Sequence, residues 1–377
     1  MKRWLPEFLV ICAIFMVVGY GFAQTWTQVQ LGRRPPVTSV ALSADGERLV
    51  AIASDQAIIS TNACATTQFV SQPYQEVLIA SSADANTLVG IKTVGAYVCI
   101  STNMGITWAL TSLPQSVWRS CTSSADGTKL VAAIYDGLIY TSTNTGTTWQ
   151  TNSTLVKNWS CLASSADGTK LAAGASGDKI YTSTNAGLSW TAPFNCPVNS
   201  WNAIASSADG THLVATCSSG TYISSNSGGI WTTSKIGGVS AASSADGSKL
   251  IICANTANVC ISTNFGISWV TNIFLNQTCS SAALSADGDE LVVGASGGGG
   301  LWVASSILSP RLILAQTNGS LALSWLIPST NFVVQQSPDL ISWSSVTDQP
   351  ALNLTNLNYE MNFAPSNAGG FFRLVSQ

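Results

Sequence analysis

Seven copies of one short phrase set the frame of this chain: SADGERL, SADANTL, SADGTKL, SADGTKL, SADGTHL, SADGSKL and SADGDEL. Their aspartates are Asp45, Asp84, Asp126, Asp167, Asp209, Asp246 and Asp287, so the period stays between 37 and 42 residues. A fixed period of this size marks a unit that cannot bury its apolar face alone and stacks on copies of itself. Within Trp118 to Trp149 the pattern resolves into a strand before the Asp-Gly turn, then KLVAAI, then LIYTST after Tyr135-Asp136-Gly137. A fourth strand starts at Trp149. Four short antiparallel strands per roughly 40 residues is the pattern of a propeller blade. The expectation is an all-β protein whose residues 24–306 form a seven-bladed β-propeller.

A second repeat, Ser-x-Asn-x-Gly-x-Thr/Ser-Trp, joins the third and fourth strands of each unit. Complete copies carry Asn103 and Gly105, Asn144 and Gly146, Asn185 and Gly187, and Asn264 and Gly266; a looser copy carries Asn226 and Gly228. Asparagine can hydrogen-bond nearby backbone N–H groups, and glycine supplies a positive φ, so these residues read as structural turns. The motif resembles the Asp-box (BNR) repeat of sialidase-like and photosystem II assembly-factor-like propellers, with Asn where that family most often has Asp. The resemblance covers residues 24–306 and implies a turn at the outer blade edge, remote from the axis. It does not extend to sialidase activity, for which that family uses three arginines and a Tyr/Glu pair. Here residues 24–306 hold only Arg33, Arg34, Arg48 and Arg119, and no Arg-Ile-Pro motif occurs.

The array's ends point to a closed ring. The first unit has a decayed box, STNACATT, with Cys64 at the glycine position, and the seventh stops before any box tryptophan. A Thr25-Trp26 pair precedes the first unit, so an N-terminal strand is expected to complete the last blade and leave no seam edge open. Residues 307–377 break the period but alternate apolar and polar residues at strand spacing, as a small C-terminal β-sandwich-like module would. The ending FFRL resembles C-terminal modules of secreted bacterial proteins.

Residues 1–23 read as a signal peptide: Lys2 and Arg3, an apolar run from Phe8 to Phe22, then small residues before Gln24. The expected location is secreted, periplasmic or cell-surface. Nine cysteines follow. Only Cys253 and Cys260 are placed to meet, across a hairpin, and the others read as small buried apolar residues.

Chemistry is sparse. Charged residues make up 9% of the chain, net charge is −3 and His212 is the single histidine. That excludes an electrostatic nucleic-acid footprint and leaves little for a metal or acid–base centre; no cofactor is implied. Asp136 and Asp178, in corresponding turns of adjacent blades, are the one carboxylate pair to consider for glycoside hydrolysis. Trp118, Trp159 and Trp201 each lie eight residues before a repeat aspartate, so they ring part of the axial mouth. There they either stack on a ligand or fill the wedge between blades. Arg119 and Lys157 add charge beside them, and Arg33-Arg34 enter the first blade on the same face. The leading expectation is a secreted, monomeric, non-catalytic propeller binding a protein or glycan. The alternatives are a BNR-type glycoside hydrolase and a purely structural surface protein.

Overall fold

The computed structural model describes residues 26–305, apart from short loop segments (30, 32–35, 54–55, 72–76, 93–95, 152–154, 194, 257, 274–277 and 297–298), and the strands of 313–376. The signal-peptide segment, Arg33, Arg34 and Glu76 lie outside the described residues. Blade 1 runs outward through Ser39–Leu42, Leu49–Ala53, Gln56–Ser60 and Gln68–Ser71. Blades 2 to 7 repeat this order from innermost strands Val77–Ser81, Trp118–Ser123, Trp159–Ser164, Trp201–Ser206, Gly238–Ser243 and Cys279–Leu284. The outermost strand of blade 7 is Trp26–Gln28, antiparallel to Gly300–Ser305 with Trp26 opposite Ala304. The ring is closed by its own N-terminal strand, as the displaced Thr25-Trp26 pair predicts.

Blade 4 departs from four strands. Its sheet has three, and the outer position is reduced to one bridge, Thr182 to Thr191. Pro193 lacks a ladder N–H, and beyond it the Cys196 thiol accepts the Ile180 N–H at 3.2 Å.

Second strands such as Leu171–Ala175, Leu213–Cys217 and Leu250–Ala254 are buried along their whole length. Each is a continuous apolar run because both faces of its sheet pack on neighbouring blades. Between blades 6 and 7 the packing is covalent: Cys253 is disulfide-bonded to Cys279, with Cα atoms 5.4 Å apart. This corrects the expected pairing with Cys260. Cys253 stands opposite Val259 in the hairpin, so Cys260 points to the other face of the sheet.

Both repeated turns are hydrogen-bonded devices. In SADG, the Ser124 hydroxyl donates to Asp126 and accepts the Lys129 N–H, while Asp126 Oδ1 accepts the Thr128 N–H. Burial alone would raise the Asp126 pKa, but these bonds and the Thr128 hydroxyl hold it below the ordinary value. In the octapeptide, Asn144 Oδ1 accepts from the Ser142 hydroxyl and the Thr148 N–H, and the Ser142 hydroxyl accepts the Gly146 N–H. Gly146 has φ +75°. The decayed first copy puts Cys64 at φ +66°, a conformation costly for a side-chain-bearing residue. The two turns of a blade join through bonds such as Thr145 N–H to Thr128 C=O, so they share one face.

At the axial end of that face the alanines of the seven SAD phrases form a closed circuit. Ala44 donates its N–H to Ala83, then Ala83 to Ala125, Ala125 to Ala166, Ala166 to Ala208, Ala208 to Ala245, Ala245 to Ala286, and Ala286 back to Ala44, each at 2.7–2.8 Å. Four of these alanines, Ala44, Ala208, Ala245 and Ala286, form one small buried apolar cluster, with Ala83 and Ala166 packed against it. Alanine fits because seven side chains converge on one axis, where anything larger overpacks.

The described strands of 313–376 form two further sheets. One joins Ile313–Thr317, Ser320–Leu326, Asn358–Phe363 and Ala351–Asn353; the other joins Ser344–Ser345, Phe332–Ser337 and Phe371–Ser376. No helix among the described residues is long and apolar enough to cross a membrane.

Candidate functional site: the axial mouth

The end of the axis opposite the alanine circuit is open, because five innermost strands carry a β-bulge there. The register slips between Trp118 and Ser120, Trp159 and Cys161, Trp201 and Ala203, Gly238 and Ser240, and Cys279 and Ser281. A bulge re-aims side chains at the end of a strand. At three of the five slips the residue before is a tryptophan turned into the blades, and the residue after it, Arg119, Ser160 or Asn202, lines an axial cavity of about 540 Å³.

Trp118, Trp159 and Trp201 are only 4%, 0% and 2% exposed. Each indole meets a tyrosine edge-on, Tyr140, Tyr181 or Tyr222, at 5.1–5.4 Å. The indole N–H groups are also engaged: Trp118 donates to the Pro114 carbonyl, Trp159 to Gly137 and Trp201 to Asp178, at 2.9–3.2 Å. Of the two roles open to these residues, the structure places them in the wedge. With no free aromatic face, they do not stack on a ligand, although Trp201 contributes to the cavity wall.

Arg119 lies at the cavity and is exposed. Among the described residues, no ion pair or hydrogen bond engages its guanidinium. Lys157 is different: its ammonium is 2.8 Å from Asp178 and 5.5 Å above the Tyr181 ring. Burial pushes the Asp178 pKa up, but Lys157, the Lys179 N–H and the Tyr181 hydroxyl together bring it below the ordinary carboxylate value. Asp136 sits at φ +53° in an exposed turn. The carboxylate of Asp178 is thus tied to its own turn and to the neighbouring loop, which fits turn duty better than paired acid–base work. No group of three or more metal-ligating side chains occurs among the described residues.

The rest of the lining was not singled out from the sequence. Ser39, Ser120 and Ser240 line the cavity with Leu78, Ile79 and Val239. Each serine lies six residues before a repeat aspartate, as does Ser281, and that shared offset is the signal that marks them. Their hydroxyls accept backbone N–H groups of the next blade: Ile79 to Ser39, Leu162 to Ser120, Ala282 to Ser240 and Val40 to Ser281, at 2.9–3.2 Å. Cys121 and Cys161 complete the wall, their thiols pushed up to about 12, chiefly by burial. Neither is a thiolate nucleophile at neutral pH.

Around the mouth, Val117, Val156 and Val198 are 61%, 54% and 59% exposed, and Tyr135 is exposed beside them. They sit on loops stitched across the face: Tyr135 N–H bonds the Val117 carbonyl, Gly137 pairs with Lys157, and Asp178 pairs with Asn199.

No protein-family model matches this chain, and no curated protein matches it in sequence. Solved structures do match. One is YCF48 from Cyanidioschyzon merolae, with a TM-score of 0.59 and 14% identity, over 74% of this chain and 98% of that one. Another is YCF48 bound to D1 peptide, with a TM-score of 0.58 and 13% identity, over 75% of this chain and 97% of that one. The likeness is one of fold. It places the chain among seven-bladed propellers, and at this identity it carries no residue roles across.

Proposed function

We propose that this chain is an exported, non-catalytic propeller that captures a protein partner on its loop face. The observation that carries the reading is the apolar rim of Val117, Tyr135, Val156 and Val198 around an open axial cavity lined by Arg119, which has no ion pair or hydrogen bond among the described residues. Exposed apolar side chains grouped round a cavity, within a face ordered by cross-blade hydrogen bonds, suit a preorganised protein contact. They suit a glycan less well, since the three tryptophans offer no stacking face. One fold neighbour is YCF48 bound to D1 peptide, which supports peptide capture by a propeller of this shape. Export is supported by the basic-then-apolar pattern of residues 1–23 and by the Cys253–Cys279 disulfide, a bond that persists in oxidising compartments. Residues 307–377 would then act as a spacer or attachment module.

A photo-crosslinking residue at position 156 or 198 tests this, with position 267, on the opposite face and 83% exposed in Ile267, as control. The loop-face probes are expected to label a discrete protein from the producing cell, and excess unlabelled protein should compete the label away. Equal labelling from position 267 would overturn the reading.

A further inference from the structure

Hydrogen-bond polarity distinguishes the axial cavity from an ordinary polar cleft. At four blade boundaries a serine hydroxyl, Ser39, Ser120, Ser240 or Ser281, accepts a backbone N–H from the next blade. Among the described residues none of these four hydroxyls has an acceptor for its own proton. Three of them line the cavity, with Arg119 beside them. The Asn202 amide already donates, to the Gly238 carbonyl at 2.9 Å. The Ser160 hydroxyl donates to the Gly174 carbonyl at 3.1 Å, and Ser280 donates to Val37 and Gly294. Among the described residues the unsatisfied valence around the axis is therefore mainly donor, hydroxyl protons and five guanidinium N–H groups, with the Asn202 side-chain oxygen as an acceptor. Among the described residues no carboxylate lines the cavity.

We propose that the axial cavity is an oxyanion site, in which Arg119 forms a charge-assisted pair with a carboxylate or phosphate group while Ser39, Ser120 and Ser240 donate to its oxygens. The inference rests on the loop-face reading and names what the partner must present there. A neutral amide or sugar hydroxyl matches the cavity less well, because each brings protons that meet few acceptors. A planar guanidinium suits a two-oxygen group, and the apolar wall of Leu78, Ile79 and Val239 lowers the local dielectric and strengthens that pairing. The inter-blade bonds hold the serines in place before any ligand arrives, so little ordering remains to oppose binding.

The test is titration of the full chain with acetate, inorganic phosphate and neutral acetamide at fixed ionic strength, followed by calorimetry and by NMR of the Arg119 side-chain N–H. Saturable binding of acetate or phosphate with a shifted Arg119 resonance, and none of acetamide, is expected. Arg119→Gln should weaken it about tenfold or more, the loss of one charge-assisted pair, and Arg119→Lys should recover part. Arg119 is exposed on a bulge, so an unchanged melting temperature in Arg119→Gln separates lost binding from lost folding. Preference for acetate identifies a carboxylate source and preference for phosphate a phosphate ester; either supports the site. Equal responses to acetate and acetamide, or anion binding untouched by Arg119→Gln, would overturn it. Partner crosslinking at position 156 that persists without anion binding removes this inference alone. Anion binding without any loop-face partner removes the broader reading and leaves the site.

Discussion

Two arcs of the ring fill the same wedge with different chemistry. From blade 2 to blade 5 the wedge holds an indole. Ile91 clusters with Trp118, Ala133 with Trp159, and Gly174 lies against Trp201. From blade 5 round to blade 1 the same two positions hold Thr216 with Gly238, Cys253 with Cys279, and Gly294 with Val37. The first position lies seven residues after one repeat aspartate and the second eight before the next. At two boundaries a glycine faces the larger side chain directly. A Cβ added at Gly174 would come within 2.9 Å of the Trp201 Cβ, and one at Gly294 within 2.5 Å of a Val37 methyl. At these two boundaries the glycine and the side chain facing it are matched, since interiors are close-packed and overpacking is costly.

Substitutions in each arc sharpen or break that comparison. Trp159→Ala empties the most buried indole wedge and is expected to cost about 3–5 kcal/mol by chemical denaturation; a loss near zero would mean the wedge had not been filled. In the other arc, replacing both Cys253 and Cys279 by alanine removes a crosslink with a sequence separation of 26. The chain-entropy cost is about 3–4 kcal/mol, and a reductant should reproduce it in the parent but not in the double variant. Gly174→Ala overpacks Trp201 and is expected to cost about 1–3 kcal/mol. The matching Gly294→Ala should be largely relieved by adding Val37→Ala, and additivity of those two would disprove volume coupling. Thr216 is fully buried and its hydroxyl has no partner among the described residues, so Thr216→Val should gain about 1 kcal/mol.

A pH scan addresses the boundary of blades 6 and 7 at the opposite face. There Lys249 is ion-paired with Asp289, and burial, then the Asp289 charge, raises Asp287 to about 7. A raised folded-state pKa means this carboxyl's stabilising contribution is complete below its ordinary value of 3.8 and is lost as pH rises through about 7. Asp126, Asp167 and Asp209 have lowered values, so their contribution is lost only as pH falls below the ordinary value. The interval between about pH 4 and 7 thus isolates Asp287, and Asp287→Asn should flatten the decline in melting temperature there.

How much of this was legible beforehand follows from the range of each interaction. The Ser124-Asp126-Lys129 turn and the Ser142-Asn144-Thr148 turn bond within five residues, so their patterns could be read locally. The closing strand at Trp26 was visible because it completes a motif missing from the other end. The orientation of Trp118, Trp159 and Trp201 was not, because their strand offset is the same whether they face the axis or the blades. That choice was made by the bulge after each one and by the packing of the neighbouring blade. The cysteine pairing failed for a related reason: Cys279 meets Cys253 across blades, while hairpin proximity suggested Cys260.

Period, composition and turn chemistry by themselves determined a seven-unit all-β ring and the segment that closes it, since those signals lie within one repeat. The tertiary structure alone decided which side chains fill the wedges, which serine hydroxyls bridge neighbouring blades, and that Arg119 lines the axial cavity. Each of those depends on a neighbouring blade, 26 residues away between Cys253 and Cys279 and 42 between Ser120 and Leu162, and no local pattern encodes it.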